Sequence, residues 1–247
     1  MHHVNSLTTY PAARSEPPSG PVMRQRWENV AFVHWTVPEE TVARRLPEGL
    51  EPDTFAGSAW VGLVAFDMIG IGPTFGPSLP YLGSFPETNV RTYVRDRSGR
   101  PGVWFDSLDA SRLLPVLAAR TLWDLPYAWS SMSAESGPRC RYRLHRRWPG
   151  GGLGSELVVA PGAPADPDDL NAFLVNRWRL FARTPRGGVA VADVDHEPWP
   201  LRNAELLSFH DDLATSAGYP PAPDEPLVHH ASGVSVRAGR LRRVRWL

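Results

Sequence analysis

The stretch from Phe85 to Ser130 constrains the fold most, because it sets a strand with two unlike faces beside a turn, a second strand and a helix. Successive strand residues point in opposite directions. Glu87, Asn89, Arg91 and Tyr93 therefore share one face, while Val90, Thr92 and Val94 share the other. The apolar face needs a core to pack on. The polar face admits two readings: a solvated surface, the commoner case for a single polar strand, or the wall of a polar cavity. Ser98-Gly99-Arg100-Pro101-Gly102 is turn chemistry and leads into a second strand, Val103 to Leu108. A helix follows from about Ser111 to Trp123, with Leu114, Leu117, Ala118 and Leu122 at three- and four-residue spacing. Pro126 ends it, since the residue before a proline is driven out of the helical region.

Elsewhere strands outnumber helices. Trp27 to Val37 mixes β-branched and aromatic residues and reads as a strand, and Pro38 to Leu46 as a short helix with early acids. Ala59 to Ile69 is almost continuously apolar, the mark of a strand buried on both faces. Gly70 to Pro80 is a Gly/Pro-rich loop, either a flap beside a pocket or plain surface. Strands are expected over Tyr127 to Ala134, Arg139 to Trp148, Glu156 to Ala160 and Val189 to Val194. A segment from Ala204 to Ala217 starts as strand and ends as helix, and Leu227 to Val236 and Leu241 to Trp246 close the chain. Asp166 and Pro167 would start a helix whose apolar face is Leu170, Phe173, Leu174, Trp178 and Phe181. Arg177 interrupts that face and is expected to snorkel to solvent. With short turns and no βαβ alternation, the fold class is α+β, with a curled, mostly antiparallel sheet and few helices.

Composition narrows the function. The 26 basic residues balance 26 acidic ones, which gives no bulk charge for nucleic acid or an anionic membrane. No apolar run reaches the roughly eighteen residues that would span a bilayer. Residues 1–22 have no apolar signal core and are expected to be a flexible lead-in to a single domain over 23–247, in a cytoplasmic protein. Cys140 is the single cysteine, so no intrachain disulfide and no thiolate cluster can form, and it is expected to be structural rather than catalytic. Histidines occur without metal-ligand spacing such as H-E-x-x-H, so no metal site and no cofactor are expected. No G-x-S-x-G elbow is present either.

Several words carry a family resemblance: Phe85-Pro86-Glu87-Thr88-Asn89-Val90-Arg91-Thr92-Tyr93-Val94, Gly102 to Ala110, His34-Trp35, Leu46 to Gly62, and Pro198-Trp199-Pro200-Leu201. Over roughly residues 24 to 240 the chain resembles the YqjF-like family of uncharacterised bacterial proteins, within the acetoacetate decarboxylase-like superfamily. The resemblance implies a cone-like β-sheet enclosing one pocket, and it places Glu87 over the decarboxylases' catalytic glutamate. Their segment G-R-E-I-W-G-F-P-K-K overlies Ala119 to Ala128, so Tyr127 stands where the Schiff-base lysine would be. The chain contains no lysine, and all 26 basic residues are arginines. A guanidinium, with a pKa above about 12, is no amine nucleophile at neutral pH. Lysine-imine decarboxylation is excluded.

The candidate chemistry follows from that substitution. If the resemblance brings Glu87 and Tyr127 to one pocket, Glu87 can act as a general base and Tyr127 as a donor to an enolate or carbonyl oxygen. Arg91 can hold a substrate carboxylate, and Arg120 can do likewise or pair with Asp124 on its own helix. His34 is the candidate second acid or base. Asn89 and Tyr93 on the strand face, and Trp199 in the aromatic loop, complete the binding set. Such a site suits a cofactor-independent lyase or isomerase acting on a small carbonyl or carboxylate compound by decarboxylation, dehydration or enolisation. Two alternatives stand beside it: Glu87 and Arg91 merely pair within the sheet, or the chain is a small-molecule-binding protein that kept a pocket without catalysis. A small-molecule partner is expected, with homo-oligomerisation as a weaker implication of the resemblance.

Overall fold

A computed structural model describes residues 20–122, 125–184 and 188–244. Strands β1 (Pro21–Val37), β3 (Ala59–Pro73), β4 (Phe85–Asp96) and β5 (Pro101–Ala110) form one antiparallel wall, with β2 (Leu50–Pro52) on the edge of β4. The wall continues from β1 through β12 (Leu227–Gly239), β11 (Leu201–Asp211), β8 (Gly154–Pro164), β7 (Cys140–Trp148) and β6 (Tyr127–Glu135). From there it returns to β5, on which β6 lies parallel. A shorter return runs from β5 through the parallel strand β9 (Arg179–Arg183) to β10 (Val189–His196), which pairs with β12 and with β13 (Arg242–Val244). The thirteen strands among the described residues make one strongly curled, mostly antiparallel sheet. Helices α1 (Glu39–Ala43), α2 (Leu113–Leu122), α3 (Asp169–Val175) and α4 (Leu213–Ser216) are short, and α3, expected to be peripheral, buries Phe173, Leu174 and Val175 inside the sheet.

The two returns give β1, β3 and β4 a core on each side. Along β1, Val30 and Phe32 pack into one core while Ala31, Val33 and Trp35 pack into the other. Along β3, Val64, Phe66 and Met68 alternate in the same way with Val61, Leu63 and Ala65. This is why β3 reads as an unbroken apolar run: period-two alternation divides it between two interiors, neither of them solvent. Curvature enters at Asn29, whose φ of 50° sits at a register shift between β1 and β3. Bulges bend and over-twist a strand, and asparagine tolerates that left-handed conformation better than most residues.

Several expectations change. β1 begins at Pro21, two residues inside the expected lead-in, and residues 1–19 lie outside the described residues. β3 extends through Pro73, because Met23 and Arg24 pair with Pro73 and Gly72, so the Gly/Pro loop starts later. The helix expected to reach Phe181 stops at Val175. Its N-cap is Asp168, not Asp166: the Asp168 carboxylate accepts the Asn171 N–H at 2.6 Å. Phe181 belongs to β9, in register with Trp104 of β5. Tertiary pairing overrode the helical period there. Arg177 is buried rather than snorkelling, for reasons given below. Trp123, Asp124, Arg245 and Trp246 lie outside the described residues.

Gly62 marks the tightest point of the wall. A Cβ there would stand 2.7 Å from His34 Cδ2 and 2.9 Å from Nε2. Gly62→Ala is expected to cost about 1–3 kcal/mol of stability, read as a lowered urea midpoint, because the His34 ring is fully buried and has nowhere to retreat.

Candidate active site

The cavity inside the shorter circuit has a volume of about 400 Å³ and is walled by β1, β3, β4, β5, β9, β10 and α2. Its polar wall groups are Gln25, Glu87, Asn89, Arg91, Arg177, His196 and the polar ends of Trp27, Tyr127 and Trp199. Glu87, Asn89 and Arg91 are all buried, so the polar face of β4 is a cavity wall and not a solvated surface.

Glu87 and Tyr127 meet. The Tyr127 hydroxyl donates to Glu87 Oε2 at 3.1 Å. β4 and β6 bring them together through β5, where Ala110 is in register with Glu87, and Leu108 with Tyr127. Burial pushes the Glu87 carboxyl up to about 8; the hydrogen bond from Tyr127 opposes the shift and the neighbouring Asp109 carboxylate adds to it. Asp109 is held from behind by Arg146, Nε to Oδ1 at 2.8 Å, and by Ser130, Oγ to Oδ1 at 2.7 Å. Burial, together with the charge of Glu87, raises the Tyr127 phenol well above its ordinary range, so it stays a proton donor.

Arg91 does not pair with Glu87. Its Nη2 donates to the Leu174 carbonyl at 3.1 Å, its guanidinium lies 5.6 Å from the Phe32 ring centroid, and its Nε is buried without a partner. Leu174 is one of three carbonyls at the C-terminus of α3 that site residues satisfy. Tyr93 Oη also donates to Leu174 O at 3.0 Å, Arg177 Nε donates to Phe173 O at 2.6 Å, and Trp199 Nε1 donates to Val175 O at 3.1 Å. A helix leaves its last carbonyls unpaired, and cations are favoured at that end. The short helix thus fixes the floor of the cavity, with two arginines seated at its negative end. Arg177 is held in turn by Asp53, Nη1 to Oδ2 at 2.6 Å, while Arg95 reaches Asp53 Oδ1 at 2.7 Å.

His34 and Tyr93 lie beneath that floor and are not part of the cavity wall. Tyr93 directs its one hydroxyl proton to Leu174 O, so the 2.8 Å contact to His34 is a donation from His34 Nε2–H. His34 is neutral and fully buried: burial, then the nearby Arg91 charge, lowers its pKa. Tyr93 keeps the Glu87–Asn89–Arg91 face of β4, which alternates without a break against β3, but it lies one step past Arg91, where the C-terminus of α3 covers it. Arg120 is outside the wall as well. Its Nη1 donates to the Tyr127 carbonyl at 2.8 Å and its guanidinium sits 4.9 Å over the Trp148 ring, so it braces the start of β6; the alternative partner Asp124 lies outside the described residues. Trp199 is in the wall, edge-on to Phe32 at 5.2 Å.

The imidazole that does line the cavity is His196. It packs between Trp178 at 4.3 Å and Trp199 at 5.0 Å. Its Nδ1 is 2.7 Å from the Glu197 carbonyl, which can only accept, so Nδ1 carries the proton and Nε2 is the acceptor. Burial holds its pKa down to about 4. Its position was legible in the alternation of Ala190, Ala192, Val194 and His196, all of which line the cavity.

The fold is that of the acetoacetate decarboxylase-like proteins. MppR, an enduracididine biosynthesis enzyme complexed with the condensation product of pyruvate and imidazole 4-carboxaldehyde, superposes with a TM-score of 0.65 at 19% identity, over 93% of this chain and 92% of that one. Acetoacetate decarboxylase from Legionella pneumophila superposes with a TM-score of 0.64 at 14% identity, over 99% and 98% of the two chains. An acetoacetate decarboxylase-like enzyme from Sphingomonas wittichii RW1 gives 0.64 at 12% identity, over 92% and 94%. Within that fold the chain belongs to the DUF2071 family of uncharacterized conserved proteins, which it matches over residues 24–235. It is 34% identical over 225 residues to the uncharacterized protein YqjF of Bacillus subtilis (strain 168), covering 90% of this chain and 92% of that protein.

Proposed function

We propose that the cavity is the active site of a cofactor-independent lyase or isomerase that moves a proton beside the carbonyl of a small carboxylate compound, without a Schiff base. The observation that carries this reading is the buried Glu87–Tyr127 pair, whose carboxyl titrates near 8. A general base or acid works best with a pKa near the operating pH.

The step runs as follows. The ionised Glu87 takes a proton from the carbon next to the substrate carbonyl, and the C–H electron pair moves to make the enolate. Protonated Glu87 is a poorer acceptor, which frees the Tyr127 O–H to turn to the enolate oxygen. Arg91 holds the substrate carboxylate, and the His196 Nε2 lone pair accepts from a substrate hydroxyl. Return of the proton to a different carbon is an isomerisation; loss of a β-hydroxyl from the enolate, protonated as it leaves, is a dehydration. Decarboxylation fits less well. A guanidinium on the carboxylate stabilises its ionised form, and without an amine no imine is present to accept the electron pair.

The test is incorporation of solvent deuterium next to the carbonyl of 2-oxobutanoate and 2-oxooctanoate, followed by proton NMR. The wild-type rate should rise with pH to a plateau, with its inflection near 8. Since the Tyr127 hydrogen bond lowers the Glu87 pKa, Tyr127→Phe should move that inflection upward and slow the plateau rate about 10- to 100-fold. Exchange no faster than in buffer would overturn the reading. Ligand binding that persisted in that event would make the chain a binding protein.

A further inference from the structure

We infer that the acid taken by this site carries an apolar tail, which lies along β4 from Glu87 to the mouth of the cavity. The inference rests on the proposed site and names its substrate class: a medium-chain or aryl-alkyl 2-oxo acid rather than a two- or three-carbon one. Register sets the order of the wall. Arg91 is level with Gly62 and His34, Asn89 with Val64 and Phe32, Glu87 with Phe66, and Phe85 with Met68 and Trp27. At about 3.3 Å per residue, the strand rises roughly 20 Å from Arg91 to Phe85.

The charged groups that β4 brings to the cavity sit in the inner part of this run. Arg91 Nε and Asn89 Oδ1 are buried without partners, although their residues line the cavity. An unpaired donor and acceptor two residues apart on one face of β4 suit a ligand head that supplies both complements, a carboxylate for the guanidinium and a hydroxyl or enol for the amide. Outward of Glu87 the wall changes character. Phe66, Met68, Phe85, Ile71, Leu82 and Leu114 line it, with Gln25 and the Trp27 indole N–H as the polar groups outside the inner run. The rim itself exposes apolar side chains: Val22 is 48% exposed, Leu79 52% and Leu114 60%.

Size points the same way. At about 30 Å³ for each water-sized group, a cavity of about 400 Å³ takes roughly thirteen non-hydrogen atoms. Pyruvate would fill about half of that and leave the Phe66–Leu114 wall facing water, whereas 2-oxodecanoate would fill it. Each methylene moved from water to that wall is worth about 0.8 kcal/mol, a fourfold gain in affinity.

Calorimetric titration of the full chain with straight-chain 2-oxo acids, from pyruvate to 2-oxododecanoate, tests this. The dissociation constant should fall about fourfold per methylene and level off near 2-oxodecanoate. Ala118→Trp, which crowds the outer wall from α2, should bring the levelling-off to shorter chains and leave pyruvate binding unchanged. Arg91→Met should weaken every member by a similar factor without changing the slope. A flat series, or one tightest at pyruvate, would overturn the tail while leaving the Glu87 chemistry standing. Conversely, a steep series with no deuterium exchange would keep the tail and sink the chemistry. Binding by none of the acids overturns both.

Discussion

Glu87→Gln is expected to slow deuterium exchange about 10²- to 10⁴-fold, the range a positioned general base contributes, and to make the protein more stable at alkaline pH. The two effects share one cause. Burial raises the carboxyl from its ordinary 4.5 to about 8. The unfolded chain gives up this proton near 4.5, while the folded protein keeps it to about 8. Stability contributed by the protonated carboxyl is therefore whole below pH 4.5 and is lost as the pH rises through 8. Each unit of pH between those values costs about 1.4 kcal/mol. Glutamine has no such penalty. The gap in unfolding free energy between variant and wild type should widen by about 3 kcal/mol from pH 5 to pH 8, measured by urea denaturation.

His196 behaves oppositely. Its pKa falls from 6.5 to about 4, so its stability is present above 6.5 and is lost as the pH drops through 4. Both proteins share that contribution, so it cancels from the comparison. A gap that stayed constant between pH 5 and pH 8 would show that Glu87 is ionised in the folded protein. A structural carboxylate would give that result and would also leave exchange untouched; a catalytic one of raised pKa predicts loss of rate and gain of alkaline stability together.

The alternation on β4 made the Glu87–Asn89–Arg91 face legible, because a strand's side-chain period is fixed by its backbone. Which way that face pointed was not legible. It depends on the second return of the sheet through β9 and β10, and β9 was hidden inside what reads as a continuous helical stripe from Leu170 to Phe181. Local periodicity there competed with parallel pairing to β5, and the pairing won. The same misreading sent Arg177 outward, while His196 was passed over because the strand Val189 to Val194 was expected to end two residues before it. His34 drew notice in the His34-Trp35 word and Tyr93 on the polar strand face, yet both serve the floor: the small Gly62 admits the His34 ring, and the ring supports the phenol that bonds α3. No local pattern distinguishes a residue lining a cavity from one directly below it.

The charge buried beneath that floor carries the largest stability effect. Asp53→Asn is expected to cost about 3–5 kcal/mol, since it removes the anion that Arg177 and Arg95 share while leaving Arg177 in a site where the residue is 4% exposed. Removing water from a guanidinium is costly, and a neutral amide restores the hydrogen bond without the charge. Against a typical total of about 5–15 kcal/mol, this is a large share, and it should appear as a lowered urea midpoint. Arg177→Met alone should cost a similar amount, because Asp53 then loses its closest cation and Phe173 O its donor. In the double variant neither charge of the pair is stranded, so its loss should fall short of the sum by about 1–3 kcal/mol. Strict additivity would mean that the two groups are stabilised independently. Arg177 would then be held by the Phe173 carbonyl and the aromatic faces of Tyr93 and Phe173, 4.9 and 4.3 Å away, rather than by the carboxylate.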